Sequence, residues 1–439
     1  MNLQSSLPQP IGDPSPRRVP LFPSRPWGPW FSAGLLIAGW VTGLSAAELP
    51  RSTPEKAGLS GSKLAEVDQF MERAVADQKI AGGIIAVSHN GRIAFFHTYG
   101  RMDLESGKPV QADTLFRIYS MSKAITTAAA LTLYDAGKLG LEDPVAKYIP
   151  SFSQLRVAGA DGLHPPSRPM TVRDLMRHTS GLTYGGDGPE AHREAFKRLK
   201  PLESVDLEEM AAKVSQIPLA YDPGMDWIYS ISTDVLGRVI EVASGKSLDS
   251  FLEEAIFRPL DMVDTAFTVP PSKASRLAAN YKRSPEGLKV IDAPAASKFA
   301  KQTTFFSGGG GLVSTARDYM RFLAMIERGG GLDGRRVLKP QTVDLMTHDD
   351  LPRKAYPIHF GAETRHGVGF GLGFSVRTQG SNWDPAGHLG EYGWGGAAST
   401  HYWASPNDKL IVLTLEQIIP YQWDTEFGVK KIIYDSILR

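Results

Sequence analysis

Strand-like sequence occurs near both ends of the chain, and a long helical stretch separates the two regions. Residues 82–88 and 93–99 are apolar runs on either side of Asn90-Gly91, and Asn-Gly is the favoured centre of a type I′ hairpin turn. Strand character returns only late, in residues 367–376, 397–404 and 410–415. Because strands must lie side by side to pair, the pattern predicts one antiparallel sheet formed by both ends of the chain.

Helical patterns flank these strands and fill the middle of the chain. Leu64, Val67 and Met71 recur at helical spacing, and Ser60 or Ser62 is placed to cap that helix. Further helices are predicted at residues 124–136, 172–177, 207–217 and 233–244, and a last one places Phe427, Ile433, Tyr434 and Ile437 along one side.

The predicted fold class is therefore α/β, of the α+β type, with an antiparallel sheet flanked by helices. An α/β domain is expected from residues 48–119 and 301–439, with a mostly helical domain of residues 120–300 inserted into it. The cleft between two such lobes is a common place for a ligand site.

The first 47 residues are typical of an export signal. Arg17, Arg18 and Arg25 precede an apolar run at residues 30–44, which ends in the small-x-small pattern Ser45-Ala46-Ala47. The run is shorter than the roughly 20 residues needed to cross a bilayer. We predict cleavage after Ala47 and an exported, periplasmic or secreted protein without stable membrane insertion. Two alternatives stay open: an uncleaved anchor, and a cytoplasmic protein whose true start lies further along.

Charge and cysteine content exclude several function classes. Lys and Arg total 48 against 47 Asp and Glu, so no basic surface indicates a nucleic-acid partner. The absence of cysteine removes disulfides, thiolate metal sites and cysteine nucleophiles. The sequence contains neither a His-Glu-x-x-His spacing nor a Gly-x-Ser-x-Gly elbow. We predict no metal and no cofactor, and a nucleophile that is an oxygen or an amine.

Ser120 and Lys123 form a Ser-x-x-Lys pattern at the start of an Ala-rich helical stretch. At this spacing both side chains lie on one helix face, so the lysine amine can act beside the serine hydroxyl. The amides at the helix N-terminus also favour developing negative charge. A second copy, Ser60-Gly61-Ser62-Lys63, precedes an amphipathic helix and is better explained by capping. The pattern alone leaves the same capping role open for Ser120.

Several ordered segments around and beyond Ser120 carry a resemblance to a known family. They are Phe116 to Lys123, Thr171 to Leu182, Pro223-Gly224 leading into Tyr229-Ser230, Thr233 to Gly237, and Gly309 to Thr315. Together they resemble the serine hydrolases of the β-lactamase-related superfamily, which includes class C β-lactamases, D-Ala-D-Ala peptidases and family VIII carboxylesterases. The resemblance covers nearly all of residues 50–439 and is closest to the family VIII esterases. It implies the β-lactamase/penicillin-binding-protein-like fold and an acyl-enzyme on Ser120.

The resemblance also assigns the second and third motifs of the site. The family's Tyr-x-Asn corresponds to Tyr229-Ser230-Ile231, in which the tyrosine is kept as general base and Ile231 replaces the asparagine. The family's Lys-Thr-Gly strand corresponds to Trp394-Gly395-Gly396, the form known in the esterase branch. By position, the amide of Ala397 would join that of Ser120 as the oxyanion hole. Ile231, Trp394, Gly395 and Gly396 would contact substrate.

The two residues that depart from the family motifs affect which class of substrate is expected. Trp394 and Ile231 offer neither a cation nor an amide to a β-lactam, so a neutral ester of short to medium acyl length is expected. The predicted function is a serine carboxylesterase, with β-lactams as further small-molecule partners and acyl transfer as a second fate of the acyl-enzyme. A class C-like β-lactamase or D-Ala-D-Ala peptidase is the first alternative, and a non-catalytic sensor with the penicillin-binding fold is the second.

We expect structural roles for three histidines and for a run of glycines near the predicted site. His388 and His401 flank Trp394, and we expect hydrogen-bonded structural residues, with cleft lining as the alternative. His178 is expected to bond a loop. The run of four glycines at residues 308–311 lacks a following Gly-Lys-Ser/Thr, so backbone flexibility or close packing is favoured over a phosphate-binding loop.

Overall fold

The computed structural model describes residues 48–438, so the predicted export signal lies outside the described residues. The helices are α1 (Pro54–Ala57), α2 (Gly61–Ala76), α3 (Ser122–Asp135), α4 (Val172–Met176), α5 (Glu190–Leu199), α6 (Leu207–Val214), α7 (Ser232–Ser244), α8 (Leu248–Leu252), α9 (Ala316–Glu327), α10 (Pro340–Thr347) and α11 (Asp424–Asp435). Within this part of the chain, no helix is long and apolar enough to span a bilayer.

Eighteen strands occur in the described part of the chain. They are β1 (Gly82–His89), β2 (Arg92–Asp103), β3 (Lys108–Pro109), β4 (Phe116–Arg117), β5 (Val157–Gly159), β6 (Gly162–His164), β7 (Asn280–Ser284), β8 (Gly287–Asp292), β9 (Val313–Ser314), β10 (Gly331–Leu332), β11 (Arg335–Arg336), β12 (Ile358–Phe360), β13 (Glu363–Arg365), β14 (Val368–Phe370), β15 (Ser375–Arg377), β16 (Tyr392–Gly396), β17 (Thr400–Ser405) and β18 (Leu410–Leu415).

Eight of these strands form the main antiparallel sheet, in the order β14-β15-β16-β17-β18-β1-β2-β3. β18 from the end of the chain pairs with β1 from its beginning, with Ile84 opposite Leu415 and Val87 opposite Val412. This pairing confirms the prediction that both ends share one sheet. The predicted boundaries of the helical insertion, at residues 120 and 300, stay a prediction.

The hairpin between β1 and β2 has the predicted turn. Asn90 has φ 53° and Gly91 has φ 71°, so both central residues adopt the left-handed conformation that a type I′ turn requires. Asparagine and glycine accept this conformation at low cost, which is why the turn forms here.

Helices cover both faces of the sheet. Side chains that alternate along β1 therefore pack into two apolar clusters, one on each face. Ile85 and Val87 belong to an apolar cluster with residues of α2 and α11, including Val67 and Ile433. Ile84 and Ala86, which alternate with them, belong to the larger cluster, which contains residues of α3 and α9. Every residue of β1 is consequently buried.

Two predicted strands near the end of the chain differ from the structure. Residues 367–376 form the two short strands β14 and β15, because Gly373, at φ 91°, turns the chain between them. A Cβ at Gly373 would lie 3.0 Å from Thr127 of α3, so the turn sits directly against the central helix. Ala397 precedes β17 and lies in the turn that joins it to β16.

Candidate active site

Ser120 lies in a single 3-10 turn, Tyr119–Met121, that leads directly into α3. Tyr119 has φ 41°, a conformation that non-glycine residues seldom adopt and that often marks functional sites. The turn lies against the end of β16, where a Cβ at Gly396 would be only 2.2 Å from the carbonyl oxygen of Ile118. The glycine of the third motif therefore allows the nucleophile turn to approach this strand.

Lys123 follows Ser120 by one helical turn and is only 2% exposed. Its Nζ donates to Ser120 Oγ at 3.3 Å, to the Tyr184 hydroxyl at 2.9 Å and to the Gly309 carbonyl oxygen at 2.6 Å. These three acceptors match the three donors of an ammonium group. The lysine is held in one position beside the serine hydroxyl, as the Ser-x-x-Lys spacing predicts.

Tyr229 lies on the segment before α7 and is half-buried beside Lys123. Lys123 Nζ is 4.7 Å from the centre of its ring, which is a cation–π contact. The Tyr229 hydroxyl accepts a hydrogen bond from Trp394 Nε1 at 3.4 Å. Among the described residues, it makes no hydrogen bond with Ser120 or Lys123. The structure thus brings Ser120, Lys123, Tyr229 and Trp394 together, with Trp394 as the polar partner of the tyrosine.

Tyr184 is a site residue that the sequence analysis missed. Its hydroxyl accepts from Lys123, and its ring centre is 5.4 Å from that of Tyr229. Burial raises the pKa of Tyr184 well above its ordinary value, and the nearby charge of Asp234 adds to the rise. Tyr184 consequently stays protonated and acts as a hydrogen-bonding neighbour. Its only sequence signal is its position two residues after the segment that ends at Leu182.

The glycine run at residues 308–311 passes Asp234 of α7, which contacts Gly309. Asp234 accepts from the amide of Gly309 at 3.1 Å and from the Ser307 hydroxyl. A Cβ at Gly309 would lie 2.3 Å from Asp234 Oδ2. Burial raises the pKa of Asp234, and the Lys123 charge opposes this rise. Close packing thus accounts for Gly308, Gly309 and Gly311, and the Gly309 carbonyl oxygen accepts from Lys123.

Ile231, which is expected to contact substrate, is buried. Its side chain is 1% exposed and belongs to the main hydrophobic core. It is the residue immediately before α7, and the start of that helix turns its side chain inward. The burial of Ile231 does not favour the expected contact with substrate, which stays a prediction.

The three histidines differ in their relation to the site. His178 is buried, its Nδ1 is 3.0 Å from Ser230 Oγ, and burial together with the Lys123 charge lowers its pKa well below the ordinary value. It is a structural residue beneath Tyr229. His388 is exposed and pairs with Asp408. His401 Nε2 lies 2.9 Å from Glu426 Oε1, and its ring also lines the cavity described next.

Two cavities meet at Ser120 and Ala397, the two residues whose amides the family resemblance assigns to the oxyanion hole. The larger has a volume of about 620 Å³ and includes Tyr229, Trp394, Gly395 and Gly396 in its wall. The smaller has a volume of about 350 Å³. Within residues 48–438, no cluster of three or more acidic or histidine side chains is arranged to hold a metal ion.

Comparison with known proteins places this geometry in a family. The sequence model of the family described as "Beta-lactamase" matches residues 67–418. Esterase EstB of Burkholderia gladioli is 32% identical over 368 residues, which cover 78% of this chain and 87% of EstB. Monacolin J acid methylbutanoyltransferase of Aspergillus terreus is 28% identical over 387 residues, covering 81% and 91% of the two chains.

A solved structure with the same fold is that of EstCE1, described as a hydrolase with promiscuous acyltransferase activity. It superposes with a TM-score of 0.74 at 26% identity, covering 85% of this chain and 99% of EstCE1. Sequence, fold and the placement of Ser120 beside Lys123 agree, and the protein belongs to the β-lactamase family, as a serine hydrolase of the β-lactamase-related superfamily.

Proposed function

We propose that the protein is a serine carboxylesterase that hydrolyses neutral esters of short to medium acyl length through an acyl-enzyme on Ser120. The observation that carries the proposal is the strand facing the nucleophile. This strand carries Trp394, whose indole is hydrogen-bonded to Tyr229. In relatives with the Lys-Thr-Gly motif, the corresponding position offers an ammonium or hydroxyl group to a charged substrate. The similarity to the esterase EstB supports the same choice.

In the proposed acylation, Ser120 Oγ forms a bond to the ester carbonyl carbon, and its proton passes to the oxygen of ionised Tyr229. The Lys123 ammonium beside the Tyr229 ring compensates the negative charge. The amides of Ser120 and Ala397 hold the carbonyl oxygen as it becomes negative. The carbon–oxygen bond to the alcohol then breaks, and the leaving oxygen takes the proton from Tyr229.

In deacylation, a water molecule attacks the acyl carbon and gives its proton to Tyr229, which returns it to Ser120 Oγ as the acid leaves. Both steps need the Tyr229 oxygen to come within hydrogen-bonding distance of Ser120 Oγ. Catalytic hydrogen bonds are commonly long before substrate binds and shorten in the reactive complex. The indole N–H of Trp394 can remain a donor to the ionised oxygen, which makes Trp394 a positioning residue for Tyr229.

Acyl transfer to an alcohol is the second candidate function. If an alcohol replaces water in the second step, the same groups transfer the acyl group to it. The similarity to a methylbutanoyltransferase and to EstCE1 favours this activity alongside hydrolysis.

The first test compares kcat/KM of residues 48–439 on p-nitrophenyl butyrate and on a chromogenic cephalosporin, with Ser120→Ala as the blank. We expect strong ester turnover, little lactam turnover and loss of both in the blank. Preferred lactam turnover would support the β-lactamase alternative instead. If neither the wild type nor the blank turns over either substrate, the result would support a non-catalytic sensor.

Export belongs to the proposal as well. Arg17, Arg18 and the apolar run at residues 30–44 support a signal cleaved after Ala47. Expression of the full chain in a bacterial host, followed by mass analysis of the protein in the periplasm and medium, is expected to find Glu48 as the first residue. Recovery only in the cytoplasm, with residue 1 retained, would contradict export.

A further inference from the structure

The two cavities that meet at Ser120 differ in their walls. Both contain aromatic rings, but the larger one also contains a buried guanidinium, and its rings come from β12, β16 and the segments around residues 383 and 423. The Arg365 guanidinium lies among them, with its central carbon 4.0 Å from the ring centre of Trp383, 4.4 Å from that of Phe360 and 5.1 Å from that of Trp423. Flat rings and a planar guanidinium offer stacking surfaces to a flat or polycyclic ligand.

The charges around the larger cavity compensate one another. Arg365 pairs with Glu363 at 2.9 Å and Arg377 with Asp384 at 2.7 Å. Lys430 lies 2.7 Å from Glu391, and His401 and Lys430 hold the pKa of Glu426 at about 2 although burial alone would raise it. Because each cation has an acidic partner, this wall favours a neutral ligand over an ionised one.

The position of Tyr229 indicates which half of the ester enters which cavity. This residue and Trp394 line the larger cavity, whereas Tyr184 and residues 309–311 line the smaller one. The group that protonates the leaving oxygen must lie on the side of the alcohol. The alcohol half of the ester is thereby directed into the larger cavity, and the acyl half into the smaller.

We propose that the larger cavity is the alcohol site, so that the preferred substrates are short-acyl esters of bulky, ring-bearing, neutral alcohols. This inference rests on the proposed esterase function and on Tyr229 as its general base. A cavity of about 620 Å³ is large enough for a drug-sized group, while the smaller space of about 350 Å³ limits the acyl chain. The same site would seat the acceptor alcohol in acyl transfer, since that reaction reverses the first step.

Two isomeric esters test the inference directly. 2-Naphthylmethyl acetate carries its ring on the alcohol side, and methyl 2-naphthylacetate carries the same ring on the acyl side. We expect kcat/KM to be at least about tenfold higher for 2-naphthylmethyl acetate, within the range that a shaped pocket provides. Equal values, or a preference for methyl 2-naphthylacetate, would overturn the assignment.

One variant in each cavity tests which half of the ester that cavity binds. Ala362 is exposed in the turn between β12 and β13 and lines the larger cavity. Ala362→Trp should lower kcat/KM on 2-naphthylmethyl acetate by about tenfold and change that on ethyl acetate by less than about twofold. Gly310 lines the smaller cavity, and a Cβ there meets its nearest atom at 3.7 Å, so a side chain can start at this position without a clash, and Gly310→Val extends it. It should lower hydrolysis of ethyl hexanoate much more than that of ethyl acetate.

The opposite pattern, in which Ala362→Trp impairs ethyl hexanoate and Gly310→Val impairs 2-naphthylmethyl acetate, would overturn the inference. Thermal unfolding checks that both variants fold, and Ala362→Leu and Gly310→Ala replace either one that does not. Turnover of p-nitrophenyl butyrate that depends on Ser120 separates the two proposals. If it is present and the isomer preference is reversed, only the alcohol-site assignment fails; if it is absent, both fail.

Discussion

At the scale of single residues, Lys123 connects the nucleophile to distant parts of the chain. Its three acceptors come from the nucleophile turn, from the segment after α4 and from the glycine run. Its charge also lies over the ring of Tyr229. Two tyrosines therefore share one lysine, but in different ways: Tyr184 through its hydroxyl and Tyr229 through its ring. Separate substitutions can distinguish their roles.

Tyr229→Phe removes the oxygen that takes the proton from Ser120. We expect kcat on p-nitrophenyl butyrate to fall by about 10² or more, which is the usual range for loss of a general base. Steady-state kinetics with folding checked by circular dichroism measures the effect. Turnover close to that of the wild type would contradict the assigned role.

Tyr184→Phe removes one acceptor from the Lys123 ammonium and leaves the proposed base in place. A hydrogen bond to a charged group is worth about 1.5 kcal/mol or more, so kcat should fall about tenfold, with little change in KM. Tyr134→Phe, at the far end of α3, is the control. A drop as large as that of Tyr229→Phe would contradict the secondary role given to Tyr184.

At the scale of elements, the site depends on how closely the 3-10 turn approaches the end of β16. A Cβ at Gly396 would meet the Ile118 carbonyl oxygen at 2.2 Å, and one at Gly395 would meet the Tyr421 hydroxyl at 2.8 Å. The close neighbour of Gly396 is backbone, so glycine is needed there, whereas that of Gly395 is a side chain. The turn that bears Ser120 and the turn that bears Ala397 are held together by this contact.

Gly396→Ala should separate these two turns. Because the clash is with backbone, the turn or the strand must move, and a misplacement of about 1 Å can cost about 10² in rate. We expect kcat/KM on p-nitrophenyl butyrate to fall by about that factor. Gly186→Ala is the matched control, since a Cβ at Gly186 meets nothing within 4 Å. Equal activity of the two variants would show that this approach is not needed for catalysis.

At the scale of the whole molecule, one buried carboxyl group links stability to pH. Glu416 follows β18, is 1% exposed, and its Oε1 has no hydrogen-bond partner within residues 48–438. Burial raises the pKa of Glu416 from 4.5 to about 7. The folded protein thus binds this proton more tightly than the unfolded chain, and the free energy of unfolding falls as pH rises from about 4.5 to about 7.

Glu416→Gln should abolish this dependence. Above pH 7 the ionised carboxyl costs about 3 kcal/mol, so the variant should be more stable than the wild type at pH 8 by up to that amount. At pH 5 the difference should be small. Urea unfolding of both proteins at the two pH values measures it. A constant difference between variant and wild type across this range would contradict the assignment.

Much of the architecture could be predicted because its signals are local. The Asn90-Gly91 turn, the cap of α2 at Ser60 and the strand at residues 410–415 each depend on short-range backbone preferences. Ser120 and Lys123 are one helical turn apart, so their contact also follows from local geometry. The predicted strand at residues 367–376 is interrupted at Gly373, which has φ 91° and lies directly against α3.

The sequence by itself determined the sheet shared by both ends, the position of Ser120 beside Lys123 and membership of an acylating serine-enzyme family. Only the tertiary structure decided that Tyr184 bonds Lys123, that Ile231 is buried, and that two unequal cavities meet at the nucleophile. These facts depend on contacts between residues tens to hundreds of positions apart. Local periodicity and motif spacing do not encode such contacts, because they arise only when the elements pack.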